Sequence, residues 1–543
     1  MRGLMQEHPL LISNLLEFAA RYHGDTEIVS RRVEGDVHRS SYAQVRRRAM
    51  QCANALDALG LKTHERVGTL AWNGYRHFEL YYGVSGSAHV LHTINPRLHP
   101  DQIAWIVNHA DDRALFFDLS FAAIIQAIAP QCPGVRHWIA LCDADAIPPE
   151  LAASVPGVLS YEALLAAQPA SYTWPVFDEN TAAALCYTSG TTGHPKGVLY
   201  SHRSTVLHAQ AAALPDAMGL SARDSVLPVV PMFHVNAWGV PYGAAMTGCK
   251  LVFPGPRLDA PSLHALMRDE GVTLAAGVPT VWLALLDYMR AQKVQLPALQ
   301  RTAIGGSAAP PSMIRAFEQE FGVRVLHAWG MTETSPVCTV GSLKCKHQAL
   351  DAESRFAVQV KQGRPLFGVE LRLEDDAGNE LAWDGRTSGN LLVRGPWIAT
   401  DYYRSDEPGP MRDGWFPTGD VATVDPDGYV QITDRTKDVI KSGGEWISSI
   451  ELENIAMAHP GVAMAACIAR PDPKWGERPL LVVVPRAGVN LDQESVLAFF
   501  EGKLVKWSMP DDVVFVDAIP LGPTGKILKI KLREQLLQLP VAG

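Results

Sequence analysis

Apolar and polar positions along the chain alternate between two periods. Short runs dense in branched and aromatic residues, "RVGTLAW", "RALFFD" and "KLVFPG", are followed by "RHFELYYGVSGSA", "LSFAAIIQAIA" and "DAPSLHALMRDE", which have helical spacing. Strand and helix in turn, with Gly and Pro between the units, predict α/β layers on largely parallel sheets. The opening stretch "MRGLMQEHPLLISNLLEFAARYHGD" carries Glu7, His8, Asn14 and Glu17 among its apolar residues, which predicts an amphipathic helix without a signal-peptide core.

Near residue 415 the pattern changes. "WFPTGDVATVDPDGYVQITDR" reads as a hairpin that turns at Pro426-Asp427-Gly428. A compact α+β set follows. Ser448 with Glu451 three residues on opens a helix that Pro460-Gly461 closes, and "RPLLVVVP", a helix in "LDQESVLAFFEGKLV" and "DVVFVDAIP" come after it. The boundary between a large N-terminal part and a small C-terminal one falls near Asp434 to Lys437.

Composition narrows the classes. At 543 residues the chain exceeds what one core organises, and 47% hydrophobic with 19% charged residues is ordinary for a globular protein. A net charge of -9 argues against nucleic acid or an anionic membrane as partner. The eight cysteines are scattered, with no C-x-x-C pair, so reduced thiols in a cytoplasmic setting are expected. No run of about 18 uncharged apolar residues is present to span a bilayer.

One stretch resists a packing explanation. "CYTSGTTGHPKGVLY" sets Thr188, Ser189, Gly190, Thr191, Thr192 and Gly193 in a row and closes with Lys196. Small residues bury little apolar surface, but glycine amides, hydroxyls and a mobile cation together suit an anion. The apolar "AAALCY" before the loop and "GVLY" after it suit two strands that hold it at a sheet edge. It is not a Walker loop, because no G-x-x-x-x-G-K-[S/T] occurs.

"YTSGTTGHPKG" resembles the signature of the adenylate-forming superfamily of acyl-CoA synthetases, luciferases and peptide-synthetase adenylation domains. "PMFHVNAWG", "GGSAAP", "HAWGMTETSP", "WFPTGD", "DRTKDVIKSGGEWISSIELE" and "PTGKILK" follow in that family's order. The resemblance implies a large N-terminal domain (1–434) holding ATP and acid, a hinge (435–437) at Lys437, and a small mobile C-terminal domain (438–543).

It also implies site roles. Thr188 and Glu333 hold Mg²⁺, and Thr332 contacts the α-phosphate. Gly306, Ser307, Ala308, His327, Ala328, Trp329, Gly330, Met331 and Ile432 surround the nucleotide; Trp329 stands where relatives have Tyr, and an indole still stacks on adenine. Asp420 accepts from the ribose hydroxyls, Arg435 holds ribose or phosphate, and Lys526 offsets charge between carboxylate and α-phosphate. Lys441, Ser442, Gly443, Gly444, Glu445 and Trp446 line the path of coenzyme A. His234, Val235, Asn236, Trp238 and Gly239 face the acyl group, in segments that carry no Lys or Arg and so suit an apolar chain. Near Lys526, Lys529 and Lys531 read as a solvated face.

The function implied is an ATP-dependent medium- to long-chain fatty acid:CoA ligase working through acyl-AMP. A 3-methylmercaptopropionyl-CoA ligase or another short apolar acid:CoA ligase is the alternative, and acyl transfer to a carrier protein or a silent nucleotide or fatty-acid binding protein ranks lower. Relatives are often homodimers, but no feature of this sequence marks an interface.

Overall fold

In the computed structural model the described residues are 1, 3–188, 194–443, 445–522 and 526–536, with the backbone alone for Glu445. The expectations placed on Ser189, Gly190, Thr191, Thr192, Gly193 and Gly444, and on the Glu445 side chain, lie outside them.

Among the described residues four sheets form. The first runs in the order Leu159–Ser160, His137–Ala140, Asp112–Phe117, Arg66–Leu70, Val90–Thr93, Ala182–Tyr187 and Gly197–Ser201. Its strands are parallel until the last pair, which is antiparallel. The second, of nine strands, is parallel from Glu27–Arg31 through Arg324–Gly330 and antiparallel at both edges.

Helix Tyr75–Gly86 explains how these two sheets meet. Every one of its residues is buried, which a helix tolerates only when it is covered on all sides. Its Phe78, Tyr81 and Tyr82 share one core with Leu91 and Cys186 of the first sheet and with Ile28, Leu251 and Leu326 of the second. Burying each such side chain contributes roughly 1.5–3 kcal/mol, so the sheets are fixed on a common spine.

The third sheet is an antiparallel meander of Glu370–Glu374, Gly389–Arg394, Phe416–Val424 and Val430–Arg435. Its last hairpin turns at Asp425, whose carboxylate accepts from the Asp427 and Tyr429 amides at 2.9 and 3.0 Å. The fourth sheet belongs to the small C-terminal part. There Val462–Asp472 and Gly476–Pro485 pair along their length, and a hairpin of Ile440–Ser442 and Glu445–Ile447 lies at the edge.

Ser448 caps the helix Ser449–Met457, accepting from the Glu451 amide at 3.1 Å. The helix expected in "LDQESVLAFFEGKLV" is confined to Gln493–Ala498, capped by Asp492. Lys529 departs from its expected solvated face. Its ammonium sits 2.7 Å from Glu453 with the side chain only 10% exposed, because the helix Lys529–Leu536 packs against Val462–Asp472 and turns that lysine inward. Lys531 is exposed.

Candidate active site

The phosphate-loop candidate hangs from the edge of the first sheet. Strands Ala182–Tyr187 and Gly197–Ser201 pair antiparallel, which brings the loop's two ends together. Thr188 donates its amide to the Lys196 carbonyl at 2.9 Å, and the Lys196 amide donates to Thr188 Oγ1 at 3.1 Å. His194 stacks on Trp105, with ring centroids 4.4 Å apart. Lys196 Nζ reaches Glu407 at 3.0 Å and lies 4.9 Å from the centre of the Tyr402 ring.

The opposite wall comes from the second sheet. Gly305 and Gly306 follow strand Arg301–Ile304, and both positions require glycine. A Cβ on Gly305 would stand 2.9 Å from the Ala328 carbonyl oxygen, and Gly306 has φ +83°. Ser307 is exposed and Ala308 half-buried beside them. The His327 imidazole is committed to the scaffold: Nδ1 bonds the Val360 carbonyl at 2.9 Å and Nε2 accepts from the Ala309 amide at 3.1 Å. That narrows the expectation for His327 and buried Ala328 to their backbone.

Trp329 and Asp420 form a pair the sequence did not announce. The indole Nε1 donates to Asp420 Oδ2 at 2.8 Å, and Arg435 Nε stands 3.3 Å from Oδ1. The register of the third sheet sets Asp420 directly across from Arg435, so one hairpin carries both charges. Ile432, nearby on the same strand, donates its amide to Gln362 Oε1 at 2.8 Å.

Glu333 is buried behind this group. Burial pushes its carboxyl up from the ordinary range, and the Tyr402 hydroxyl, donating to Oε1 at 2.7 Å, opposes that shift. Thr332 accepts through its carbonyl from the Tyr200 hydroxyl at 2.6 Å, Met331 donates its amide to Thr334 Oγ1, and Gly330 has no room for a Cβ beside the Pro336 carbonyl.

Lys526 enters from the small C-terminal part. A Cβ on Gly306 would lie 3.9 Å from its Cε. Burial lowers its ammonium to about 8, with repulsion from Arg435 in the same direction and Asp420 and Glu333 opposing. Burial, together with the Lys526 charge, holds His234 down to about 3, neutral at physiological pH. Two carboxylates, a guanidinium and an ammonium thus converge from the third sheet, from the turn that follows Arg324–Gly330 in the second, and from a loop of the small C-terminal part.

The "HVNAWG" segment has an unexpected backbone. Val235, Asn236, Ala237, Trp238 and Gly239 are all left-handed, with φ of 42, 52, 48, 59 and 77°. Such a run costs roughly 1–2 kcal/mol for each non-glycine residue, so packing must impose it. Tyr81 donates to Asn236 Oδ1 at 3.3 Å, and Trp238 is pressed to within 3.2 Å of where Gly305 would carry a Cβ.

The hairpin that carries Lys441, Ser442, Gly443 and Trp446 stays within the small part. Lys441 Nζ lies 5.7 Å from the Trp446 ring, Ser442 Oγ accepts from Arg478, and Gly443, at φ +61°, packs on Trp475. Lys437 is exposed and its carbonyl accepts from Arg533 at 3.5 Å.

The family model of AMP-binding enzymes matches residues 15–403, and that of the AMP-binding enzyme C-terminal domain matches residues 451–526. The chain belongs to the AMP-binding enzyme family. A 3-methylmercaptopropionyl-CoA ligase of Ruegeria lacuscaerulensis is 53% identical over 98% of this chain and 99% of its own length. A medium-chain-fatty-acid–CoA ligase of Ectopseudomonas oleovorans is 49% identical over 98% and 97%. The crystal structure of the anthranilate CoA ligase AuaEII with anthranoyl-AMP superposes with a TM-score of 0.87 at 24% identity, covering 98% of this chain and 99% of that one, and so shows the fold. For this AMP-binding enzyme the fold reading therefore stands: α/β layers plus a small C-terminal sheet domain.

Tyr402, Glu407 and Gln362 were missed from sequence. All three act through contacts distant along the chain, and no local motif carries that information. Among the described residues no group of three or more His, Cys, Asp or Glu is placed to hold a metal ion.

Proposed function

We propose that this protein is an AMP-forming acid:CoA ligase acting on an apolar monocarboxylate, with ATP, Mg²⁺ and coenzyme A as its small-molecule requirements. The observation that carries the reading is Lys526: a half-buried lysine whose Cε lies beside Gly306 and whose ammonium feels the charges of Arg435, Asp420 and Glu333. Two anions must meet when a carboxylate attacks the α-phosphorus of ATP, and a desolvated cation between them acts where charge accumulates.

In this reading Thr188, Ser189, Gly190, Thr191, Thr192, Gly193 and Lys196 cradle the β- and γ-phosphates, and Glu333 with Thr188 holds Mg²⁺, which supplies charge neutralisation on phosphate oxygens. Asp420 and Arg435 hold the ribose side, while the backbone at Gly306 to Ala308 and at 327–331 borders the adenine. Neutral His234 and Trp238 face the acid. Pyrophosphate leaves, and the small domain (438–543) turns about Lys437 to bring Lys441 to Trp446 to the thiol path, where the thiol displaces AMP. No helix among the described residues is long and apolar enough to cross a membrane; a cytoplasmic enzyme with reduced thiols fits cysteines that are all unpaired.

A medium- or long-chain fatty acid is the first substrate reading, supported by the apolar "HVNAWG" segment. A second, 3-methylmercaptopropionate, is favoured by the higher identity to the Ruegeria lacuscaerulensis ligase, 53% against 49%. Acid-dependent ATP–pyrophosphate exchange and CoA-dependent AMP release, scored by kcat/KM from propionate and 3-methylmercaptopropionate to palmitate, decide between them. A product that lacks CoA, or a strong preference for a phosphopantetheinyl carrier over free CoA, defeats the proposal.

A further inference from the structure

Residues 397–407 form a strap across the site that none of the recognised motifs explains. It is pinned at both walls. Ser335 Oγ donates to the Trp397 carbonyl at 2.8 Å, and the Ala399 amide donates to the Glu333 carbonyl at 2.8 Å. At its other end the Tyr403 amide donates to the Gly197 carbonyl at 2.8 Å, one residue from Lys196. Between those pins Tyr402 is held at a fixed depth, with its hydroxyl on Glu333 Oε1 at 2.7 Å and its ring centre 4.9 Å from Lys196 Nζ.

We propose that Tyr402 is a positioning residue that sets both charged ends of the triphosphate site, orienting the Glu333 carboxylate through its hydroxyl and the Lys196 ammonium through its ring face. The inference rests on the reading above, in which Glu333 serves Mg²⁺ and Lys196 serves the phosphates.

Two magnitudes favour Tyr402 over the neighbouring ion pair as the organiser. Lys196 and Glu407 are 48% and 75% exposed, and an exposed pair of that kind contributes about 0–1 kcal/mol and is screened by salt. Glu333 is 6% exposed, and a hydrogen bond to a buried carboxylate is stronger, because losing it leaves an acceptor without water. Groups that hydrogen-bond a metal-ligating carboxylate also fix its direction, and their removal weakens metal binding by about tenfold or more. A hydroxyl on Oε1 leaves Oε2 as the oxygen presented to a cation.

Titration calorimetry of ATP with and without Mg²⁺ tests the proposal on the full chain. In Tyr402→Phe the ring stays and only the hydroxyl is lost. The factor by which Mg²⁺ strengthens ATP binding should fall about tenfold, while metal-free ATP binding stays at the wild-type value. In Tyr402→Leu the ring is lost too, and metal-free binding should also weaken, about threefold. Thioester formation from supplied acyl-adenylate should be unchanged in Tyr402→Phe, which also reports that the variant is folded.

A Tyr402→Phe protein with the full magnesium effect overturns the carboxylate half of the inference. A Tyr402→Leu protein that binds metal-free ATP as tightly as Tyr402→Phe overturns the lysine half. Glu333→Gln separates the two levels of argument. If it retains the magnesium effect, the role of Glu333 itself is wrong; if it loses the effect while Tyr402→Phe keeps it, only the role of Tyr402 is wrong.

Discussion

Lys526 makes the sharpest demand at the scale of single residues. With its ammonium lowered to about 8 by burial, it is charged below that pH in the free enzyme and neutral above it. On the proposed reading, in which adenylation uses the cation, kcat/KM for pyrophosphate exchange should be level up to about pH 8 and fall as pH rises further; Lys526→Arg, always protonated, should lack that descending limb. Lys526→Ala should lower adenylation by about 10²-fold or more and leave thioester formation from supplied acyl-adenylate intact; equal loss in both half-reactions contradicts the division of labour. Trp329 gives a second test. Trp329→Phe keeps a stacking ring but removes the donor to Asp420 Oδ2, so KM for ATP should rise about tenfold with kcat little changed. Most of these charged residues were legible in the sequence because short motifs carry them, whereas the Trp329–Asp420 bond was not, since the two lie on different sheets.

Among elements, the left-handed turn at 235–239 stands out. Nothing in the spelling "HVNAWG" announces five such residues in a row; Asn and Gly favour that region, but Val and Trp do not. Packing decides it, through Tyr81 beneath Asn236 and the glycine floor beneath Trp238. Gly239→Ala tests the tightness of this fit: a Cβ there would meet His208 Nδ1 at 2.8 Å with φ held at +77°. The variant should be destabilised by roughly 1–3 kcal/mol, read as a lowered Tm of the N-terminal domain, and should change the order of preference among acids. Strand–helix alternation, by contrast, was legible in outline because period and punctuation are local. The "LDQESVLAFF" helix stopped early and Lys529 turned inward for the opposite reason, since tertiary neighbours overrode a weak local pattern.

At the scale of the whole molecule, the small C-terminal part is seated on the last hairpin of the third sheet. The Asp434 carboxylate accepts from the Ser449 amide at 2.6 Å, joining the last hairpin of the large domain to a helix N-terminus of the small one. Asp434→Ala should loosen this seating and slow adenylation several-fold while sparing the thioester half-reaction, measured by single turnover on each half. The sequence changes texture near residue 415, ahead of the boundary expected near Asp434 to Lys437; the "PTGKILK" motif alone singled out Lys526, and what the spelling did not show is that Lys529 turns inward onto Glu453.

Asp420 and Arg435 face each other on one rung of the hairpin. The strand that carries Arg435 runs within a few residues into the fourth sheet, so on the proposed reading, in which the small part turns about Lys437, that turn reaches the residues assigned to the ribose directly. On that reading gripping and turning are done by one lever, and an enzyme immobilised at this rung would keep spent AMP as firmly as it first took up ATP.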